Sequence, residues 1–191
     1  MKRRKAIGRI LLAGGGTAAA YSGYKWYDLK KTPDLVYLEQ RRNLIADLAE
    51  TIIPATETPG AKDADVHDFI IIMVKDCTET QSQNKFIGGL KDLEHYCASA
   101  YDKPFGKCTE NEKQRVLKHF EEKGKNFKGI LGKVQNRFLG KSFFTTLKEY
   151  TVEGYCSSQI GATRGLNYKP IPGKYLGCIP MEPGQKSWAT K

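Results

Sequence analysis

Apolar side chains recur at helical spacing along residues 30–54. They stand mostly three, four or seven positions apart, at Leu35, Leu38, Ile45, Leu48 and Ile52. This spacing places them along one face of a helix. Thr32 can cap that helix, Pro33 fits its first turn, and Pro54 ends it. The pattern therefore predicts one helix that runs through the whole stretch.

The next segment is a loop at residues 55–65, which contains the turn sequence Thr58-Pro59-Gly60. Residues 66–77 are then almost continuously apolar, which is compatible with a buried strand or a buried helix. Asp65 as a cap, and helical patterns on both sides, favour the helix. A further helix is predicted at residues 80–101.

Two of the predicted helices open with the pattern of a capping box, in which a side chain and the backbone exchange hydrogen bonds. One begins at Thr80, with Gln83 three residues later. The other begins at Thr109, with Glu112 three residues later, and ends at Gly124. Both patterns predict a well-defined start for the helix that follows.

The last part of the chain changes character. Residues 126–155 hold one or two helices, with their core side chains expected at Phe138, Phe143, Phe144 and Leu147. After Gly154, glycine and proline recur through residues 161–184, which argues against any long element. Such a tail is ordered only where it lies on a surface, either of its own domain or of a partner. With no strand-like alternation, the sequence predicts an all-α fold: a compact bundle of about five helices with an irregular Gly/Pro-rich tail.

The first residues have the features of a targeting segment. Arg3 and Arg4 precede a mildly apolar run at residues 10–20, which is too short and too rich in glycine for a membrane-spanning helix. A weakly apolar run behind paired arginines is typical of twin-arginine export. The aromatic side chains that follow, from Tyr21 to Tyr27, suit a lipid interface, so the segment is either a cleaved signal or a retained anchor. We divide the chain into residues 1–30 (export signal or anchor), 31–155 (helical domain) and 156–191 (irregular tail).

The net charge of +10 invites the hypothesis of a nucleic-acid partner. Half of that charge lies within the first nine residues, which contain five basic side chains and no acidic one. The remaining charge is interleaved with Asp and Glu, as on an ordinary solvated surface. Because no recognition motif accompanies the charge, nucleic acid is not expected as a partner.

The sequence offers little chemistry of its own. It has no C-x-x-C, no C-x-x-C-H, no G-x-G-x-x-G and no P-loop. Its histidines, at positions 67, 95 and 119, each lack a second ligand one helical turn away, as a zinc site would need. His67 with Asp63, Asp65 and Asp68 resembles an acid–base cluster, but acidic residues at a helix start also complement the helix dipole. We therefore expect no catalytic residue, bound cofactor or metal in this chain.

Five cysteines are present. In an exported protein, cysteines pair into disulfides. Cys97 and Cys108 flank one short loop and are the first predicted pair, while Cys156 and Cys178 would tie the tail to the helix before it. Cys77 would then be unpaired or linked to another chain. The alternative is that some of these residues are buried thiols.

Two stretches carry a resemblance to a known family. LIADLAETIIPATETPGAKDADVHDFI resembles the signature of the gluconate 2-dehydrogenase subunit 3 family, in which an apolar helix leads to ETIIP and then T-x-TPGA. LKEYTVEGYCSSQ resembles the family's later T-x-EGY-x-S, which a Gly/Pro tail follows. A twin-arginine start is also usual in the family.

The resemblance implies a function. Such proteins are small, non-catalytic subunits of periplasmic, membrane-associated sugar or sugar-acid dehydrogenases. Their large subunit is a flavoprotein that holds FAD, and a cytochrome c or another acceptor takes the electrons. The small subunit supplies the export signal, here Arg3 and Arg4, and stabilises its folded partner. The matching positions are then expected to bind that partner: Thr56, Thr58, Pro59, Gly60, Gly154 and Tyr155. The alternatives are a stand-alone envelope protein on the membrane surface and an enzyme with a site around His67.

Overall fold

The computed structural model describes residues 30–124, 141–171, 173–174, 178, 180–181 and 183–189. This part of the chain is helical and contains no strand. Its α-helices are α1 (Leu35–Gln40), α2 (Arg42–Ile52), α3 (Val66–Asp76), α4 (Thr80–Tyr101), α5 (Glu110–Lys123) and α6 (Phe143–Ser157). A 3₁₀ turn, Phe105–Lys107, precedes α5, and a π-helical turn, Gly161–Gly165, follows α6. The all-α prediction is confirmed, and all the α-helices except α1 have eleven residues or more.

The predicted export signal, with Arg3 and Arg4, lies outside the described residues, as does the predicted core residue Phe138. None of the helices in the described ranges is both long and apolar enough to cross a bilayer.

The single helix predicted at residues 30–54 is in fact two. The helical conformation breaks at Arg41, with φ −95° and ψ 19°. The side chain of Arg41 forms an ion pair with Glu94 of α4, in which Nε lies 2.8 Å from Oε1. The start of the helix is also corrected, because the side chain of Asp34, and not Thr32, accepts the hydrogen bond of the Tyr37 N–H at 3.0 Å. The end of α2 before Pro54 agrees with the prediction.

The core is centred on α6, which contacts α2, α3, α4 and α5. Its Phe143 and Leu147 are buried as predicted, and Phe144 is partly buried. Gly89 of α4 lies against Phe143, and a Cβ at this position would stand 2.2 Å from the Phe143 Cγ. The close contact between α4 and α6 therefore requires a residue without a side chain at position 89.

One predicted capping box is confirmed and the other is wrong. At the start of α5, the Thr109 hydroxyl accepts from the Glu112 N–H at 3.4 Å, and the Glu112 carboxylate accepts from the Thr109 N–H at 2.7 Å. At the start of α4, the capping position is Glu79 and no side chain caps the helix. The side chain of Gln83 is instead buried, where it donates to two carbonyls near the end of α3 at 2.9 and 2.8 Å. A tertiary contact has replaced the local one that the pattern predicted.

The described part of the tail returns toward the domain. Its regular structure consists of the π-helical turn and a single bridge between Asn167 and Trp188. The Asn167 N–H donates to the Ser187 carbonyl at 2.8 Å, and the Lys186 ammonium donates to the Arg164 carbonyl at 2.9 Å. These contacts place residues 185–189 beside the π-helical turn.

Candidate functional site

The loop between α2 and α3, residues 53–65, contains most of the sequence that resembles the family, and we call it the signature loop. One carboxylate, that of Glu50 in the last turns of α2, holds both of its ends. Oε1 accepts from the Ala55 N–H at 2.9 Å, and Oε2 accepts from the Lys62 N–H at 2.8 Å. Hydrogen bonds to an ionised acceptor are stronger than those between neutral groups. Glu50 therefore fixes the start and the end of the loop to the same helix.

Gly60 is required by the space that this arrangement leaves. A Cβ at position 60 would stand 2.4 Å from the Glu50 Oε1 and 2.7 Å from the Ala55 nitrogen. The Gly60 N–H donates to the Asp63 carboxylate at 3.0 Å, and the Ala61 N–H donates to the Ile53 carbonyl at 2.9 Å. Any larger residue at position 60 would displace the carboxylate that closes the loop.

The second family-like stretch, on α6, reaches the same loop. The Tyr155 hydroxyl donates to the Pro59 carbonyl at 2.7 Å, across 96 residues of sequence. Gly154 lies against Phe69, since a Cβ there would stand 2.7 Å from the Phe69 Cδ1. Gly165 of the π-helical turn lies against the Tyr155 hydroxyl, since a Cβ at position 165 would stand 2.4 Å from that oxygen. The two stretches therefore form a single structural unit.

The residues predicted to bind a partner divide into two groups. Gly60, Gly154 and Tyr155 are buried, and the contacts above give each of them a role within the chain. Thr56 is exposed, while Thr58 and Pro59 are partly exposed. Of the predicted positions, Thr56, Thr58 and Pro59 are therefore the ones that a partner could contact.

The exposed side of the signature loop forms an open groove of about 360 Å³, which we call the signature groove. Its lining consists of Ala55, Thr56, Glu57, Thr58, Pro59, Asp63 and Arg164. The Thr56 and Thr58 hydroxyls lie 3.4 Å apart, and the Thr56 N–H donates to the Thr58 carbonyl at 2.9 Å. Hydroxyls, carboxylates and one guanidinium give the groove both donors and acceptors, as polar surfaces that bind proteins have.

A comparison with models of known protein families shows to which family this chain belongs. The model of the family described as gluconate 2-dehydrogenase subunit 3 matches residues 39–173. This chain belongs to that family. The matched range includes the whole signature loop, Tyr155 and Arg164. Searches of curated proteins and of solved structures gave no match. Membership makes the chain an accessory subunit of the gluconate 2-dehydrogenase subunit 3 type and implies a catalytic partner subunit.

In this family member, the acidic cluster around His67 is only partly assembled. Asp65, His67 and Asp68 can each place one ligand atom within 4.8 Å of the others, whereas Asp63 turns toward the Gly60 N–H. The Asp68 Oδ2 is paired with the Arg42 guanidinium at 2.5 Å, and the His67 side chain is 12% exposed. A cation at this position would compete with Arg42 for Asp68. The cluster therefore resembles a surface ion-pair network more than a site.

The cysteines are all free thiols in the structure, so the predicted disulfides are not formed in it. Cys77 and Cys178 are exposed and Cys156 is partly buried. Cys97 and Cys108 are both buried. Burial and the neighbouring Cys108 thiol raise the pKa of Cys97 to about 12. Both the Cys97–Cys108 and the Cys156–Cys178 pairings stay predictions.

Sequence reasoning missed two residues of the candidate site. Glu50 precedes the signature loop within the motif ETIIP, but a carboxylate that bonds five and twelve residues ahead follows no local pattern. Arg164 lies in the tail, more than a hundred residues from the threonines whose groove it shares. A signal existed for both, because each falls inside the segment that the family match covers.

Proposed function

We propose that this chain is the accessory small subunit of a periplasmic, membrane-associated, FAD-dependent sugar or sugar-acid dehydrogenase. The observation that carries the proposal is the family match over residues 39–173. In this proposal the large subunit binds FAD and oxidises the sugar hydroxyl, and a cytochrome c accepts the electrons. This chain binds neither the flavin nor the substrate. It supplies the export signal with Arg3 and Arg4 and stabilises the catalytic subunit.

The construction of the signature loop supports a docking role. Glu50 and Tyr155 hold the loop from two different helices, at hydrogen-bond distances of 2.7 to 2.9 Å. A loop that is fixed before binding loses less conformational freedom when it meets a partner. The exposed Thr56 and the groove around it are thereby presented in one geometry.

The two alternatives have less support from described contacts. An acid–base enzyme around His67 would need Asp68 to be free, and Arg42 already pairs with that carboxylate. A basic protein on a membrane surface would need unpaired cations, but Lys75, Lys123 and Lys141 form ion pairs with carboxylates at 2.6 to 3.3 Å. Charges that are paired on their own surface attract anionic lipid more weakly.

The experiment that tests the subunit assignment is affinity purification of the tagged full chain from its native membranes. The eluate is examined by mass spectrometry and by its absorbance spectrum. We expect a large second chain together with a flavin spectrum. A chain that elutes alone and colourless would overturn the proposal.

The export role needs its own test. The double substitution Arg3→Lys with Arg4→Lys keeps the charge but removes the paired arginines that the twin-arginine route reads. We expect both this chain and its catalytic partner to accumulate in the cytoplasm. Lys5→Arg, which leaves the pair intact, is the matched control. Normal export of the double variant would contradict the twin-arginine assignment without affecting the subunit assignment.

A further inference from the structure

We propose that Cys97 and Cys108 form an intramolecular disulfide that joins the end of α4 to the start of α5. Cys97 lies one turn before the end of α4, and Cys108 immediately precedes Thr109, which caps α5. Both side chains are buried, with exposures of 0% and 5%, and the Cys108 side chain is close enough to contribute, after burial, to the raised pKa of Cys97. Loop spacing in the sequence predicts this pairing, and the fold buries both thiols at the two ends of that loop.

The chain between the two cysteines is held in place on both sides. Asp102 ends α4 in the left-handed conformation, with φ 52°. The 3₁₀ turn that follows packs on α2 and α4, and its Phe105 is 1% exposed. The Cys108 N–H donates to the Phe105 carbonyl at 3.0 Å, and its sulfur lies 3.7 Å from the Pro104 carbonyl oxygen. These contacts hold Cys108 in one position at the end of the loop before any bond forms.

The bond forms by thiol–disulfide exchange with a donor disulfide, such as an oxidising thiol protein or oxidised glutathione. One cysteine thiolate attacks a donor sulfur, which gives a mixed disulfide and releases one donor thiol. The second cysteine thiolate then attacks the protein sulfur of that mixed disulfide and releases the other donor thiol. The two cysteines together lose two electrons and two protons, and the donor becomes two thiols.

The buried position determines when this exchange takes place. The pKa of Cys97 is raised to about 12 in the folded protein, chiefly by burial, so little of it is thiolate at neutral pH. The exchange therefore belongs to folding, or to a local opening of the loop, when the thiols are accessible. Reductants reach the formed bond by the same route, through unfolding or local opening of the loop. The bond closes a short loop and restricts the unfolded chain.

The test uses the purified full chain and needs no partner, so its outcome is independent of the proposed function. The Cys77→Ser variant, which lacks the exposed thiol of α3, is equilibrated with oxidised glutathione and unfolded in denaturant with N-ethylmaleimide. It is then digested with trypsin, which cleaves after Lys107, between the two cysteines. Without reduction, mass spectrometry is expected to detect the two peptides joined through Cys97 and Cys108. The joined species should disappear when reductant is added first.

Thermal unfolding provides the second readout. Reductant is expected to lower the Tm of the Cys77→Ser protein by roughly 5–10 °C, as loss of a structural disulfide does. The variant that also carries Cys97→Ser and Cys108→Ser should show no such dependence. If the triple variant does not fold, the reductant dependence of Cys77→Ser still gives the answer. Alkylation of both residues under oxidising conditions, or their linkage to Cys156 or Cys178, would overturn the proposal.

Discussion

Glu50 accepts hydrogen bonds from backbone groups on both sides of the signature loop, and Gly60 is small because that carboxylate lies against it. Tyr155 completes the arrangement from α6. These residues belong to the stretches that resemble the family, yet their contacts are internal. At the scale of single residues, the family motif is thus first a means of fixing a loop, and only its exposed positions are left for a partner.

The first prediction concerns Glu50. Glu50→Ala removes two charge-assisted hydrogen bonds to the backbone and is expected to lower the free energy of unfolding by about 2 kcal/mol. Glu50→Gln keeps one acceptor oxygen and should lose about half as much. The measurement is urea unfolding followed by circular dichroism. Glu57→Ala, at an exposed position of the same loop, is the control and should stay within about 0.5 kcal/mol of the wild type. Equal effects at the two positions would show that Glu50 does not hold the loop.

Single-residue roles were the least predictable part of this protein from sequence. The motif positions were found because two stretches resemble a family, but Glu50 was not singled out, since its partners lie five and twelve residues away. The burial of Gly60, Gly154 and Tyr155 was also not evident from sequence. It results from the packing of α6 against the signature loop, in which Tyr155 bonds to Pro59, 96 residues earlier in the chain. Local patterns carry no information on such contacts.

At the scale of the helices, prediction succeeded where the determining contacts are local. The capping box of Thr109 and Glu112 lies within four residues and is present in the structure. The same pattern at Thr80 failed because Gln83 is drawn into the interior by the carbonyls at the end of α3. The break at Arg41, which is paired with Glu94 of α4, likewise depends on another helix. Helix positions follow from periodicity, whereas the break at Arg41 and the missing cap at Thr80 depend on neighbouring helices.

The second prediction compares the two threonines. Thr109→Ala removes the hydroxyl that accepts from the Glu112 N–H and is expected to destabilise the protein by about 1 kcal/mol. Thr80→Ala, at the position where no side-chain cap is present, should change the free energy of unfolding by less than about 0.5 kcal/mol. Both values come from urea unfolding. A larger loss at Thr80 than at Thr109 would contradict the assignment of the helix starts.

The third prediction is a pH dependence at the start of α5. The Lys103 ammonium, 2.9 Å away, and the Thr109 N–H together hold the pKa of Glu112 below its usual value of 4.5. Because the unfolded chain then binds the proton more readily, the stabilisation is present above about pH 4.5 and is lost as the pH falls through the lowered pKa. Glu112→Gln should therefore weaken the fall in unfolding free energy as the pH drops below about 4.5.

The partner of that carboxylate provides the check. Lys103→Ala is expected to weaken the same pH dependence, and the double variant should add little to either single one, because both act on one ion pair. Unfolding free energies measured at several pH values give the slopes. Additive changes in the double variant would mean that Lys103 is not the group that shifts the titration of Glu112.

At the scale of the whole molecule, α6 organises both the core and the surface that we assign to the partner. It contacts α2, α3, α4 and α5, and its last turns hold the signature loop through Tyr155 and the π-helical turn through Gly165. The tail then brings Arg164 to the edge of the signature groove. An irregular tail that lies on its own domain or on a partner is expected from composition alone. The groove itself could not be anticipated, since it forms only when Arg164 meets the signature loop, about a hundred residues earlier in the chain.

The last prediction tests that groove as the docking surface. Thr56 is exposed at its edge, so Thr56→Arg should fold normally while adding a long charged side chain where the partner is expected to bind. We expect recovery of the flavoprotein by the tagged chain to fall about tenfold or more, as when a central contact of an interface is lost. Gln114→Arg, an exposed position of α5 outside the groove, makes the same chemical change and should leave recovery unaltered. Unchanged Tm values for both variants would exclude misfolding as the cause. Full recovery with Thr56→Arg would place the docking surface elsewhere on this chain, while the subunit assignment itself, which depends on capture by the unaltered protein, would stand.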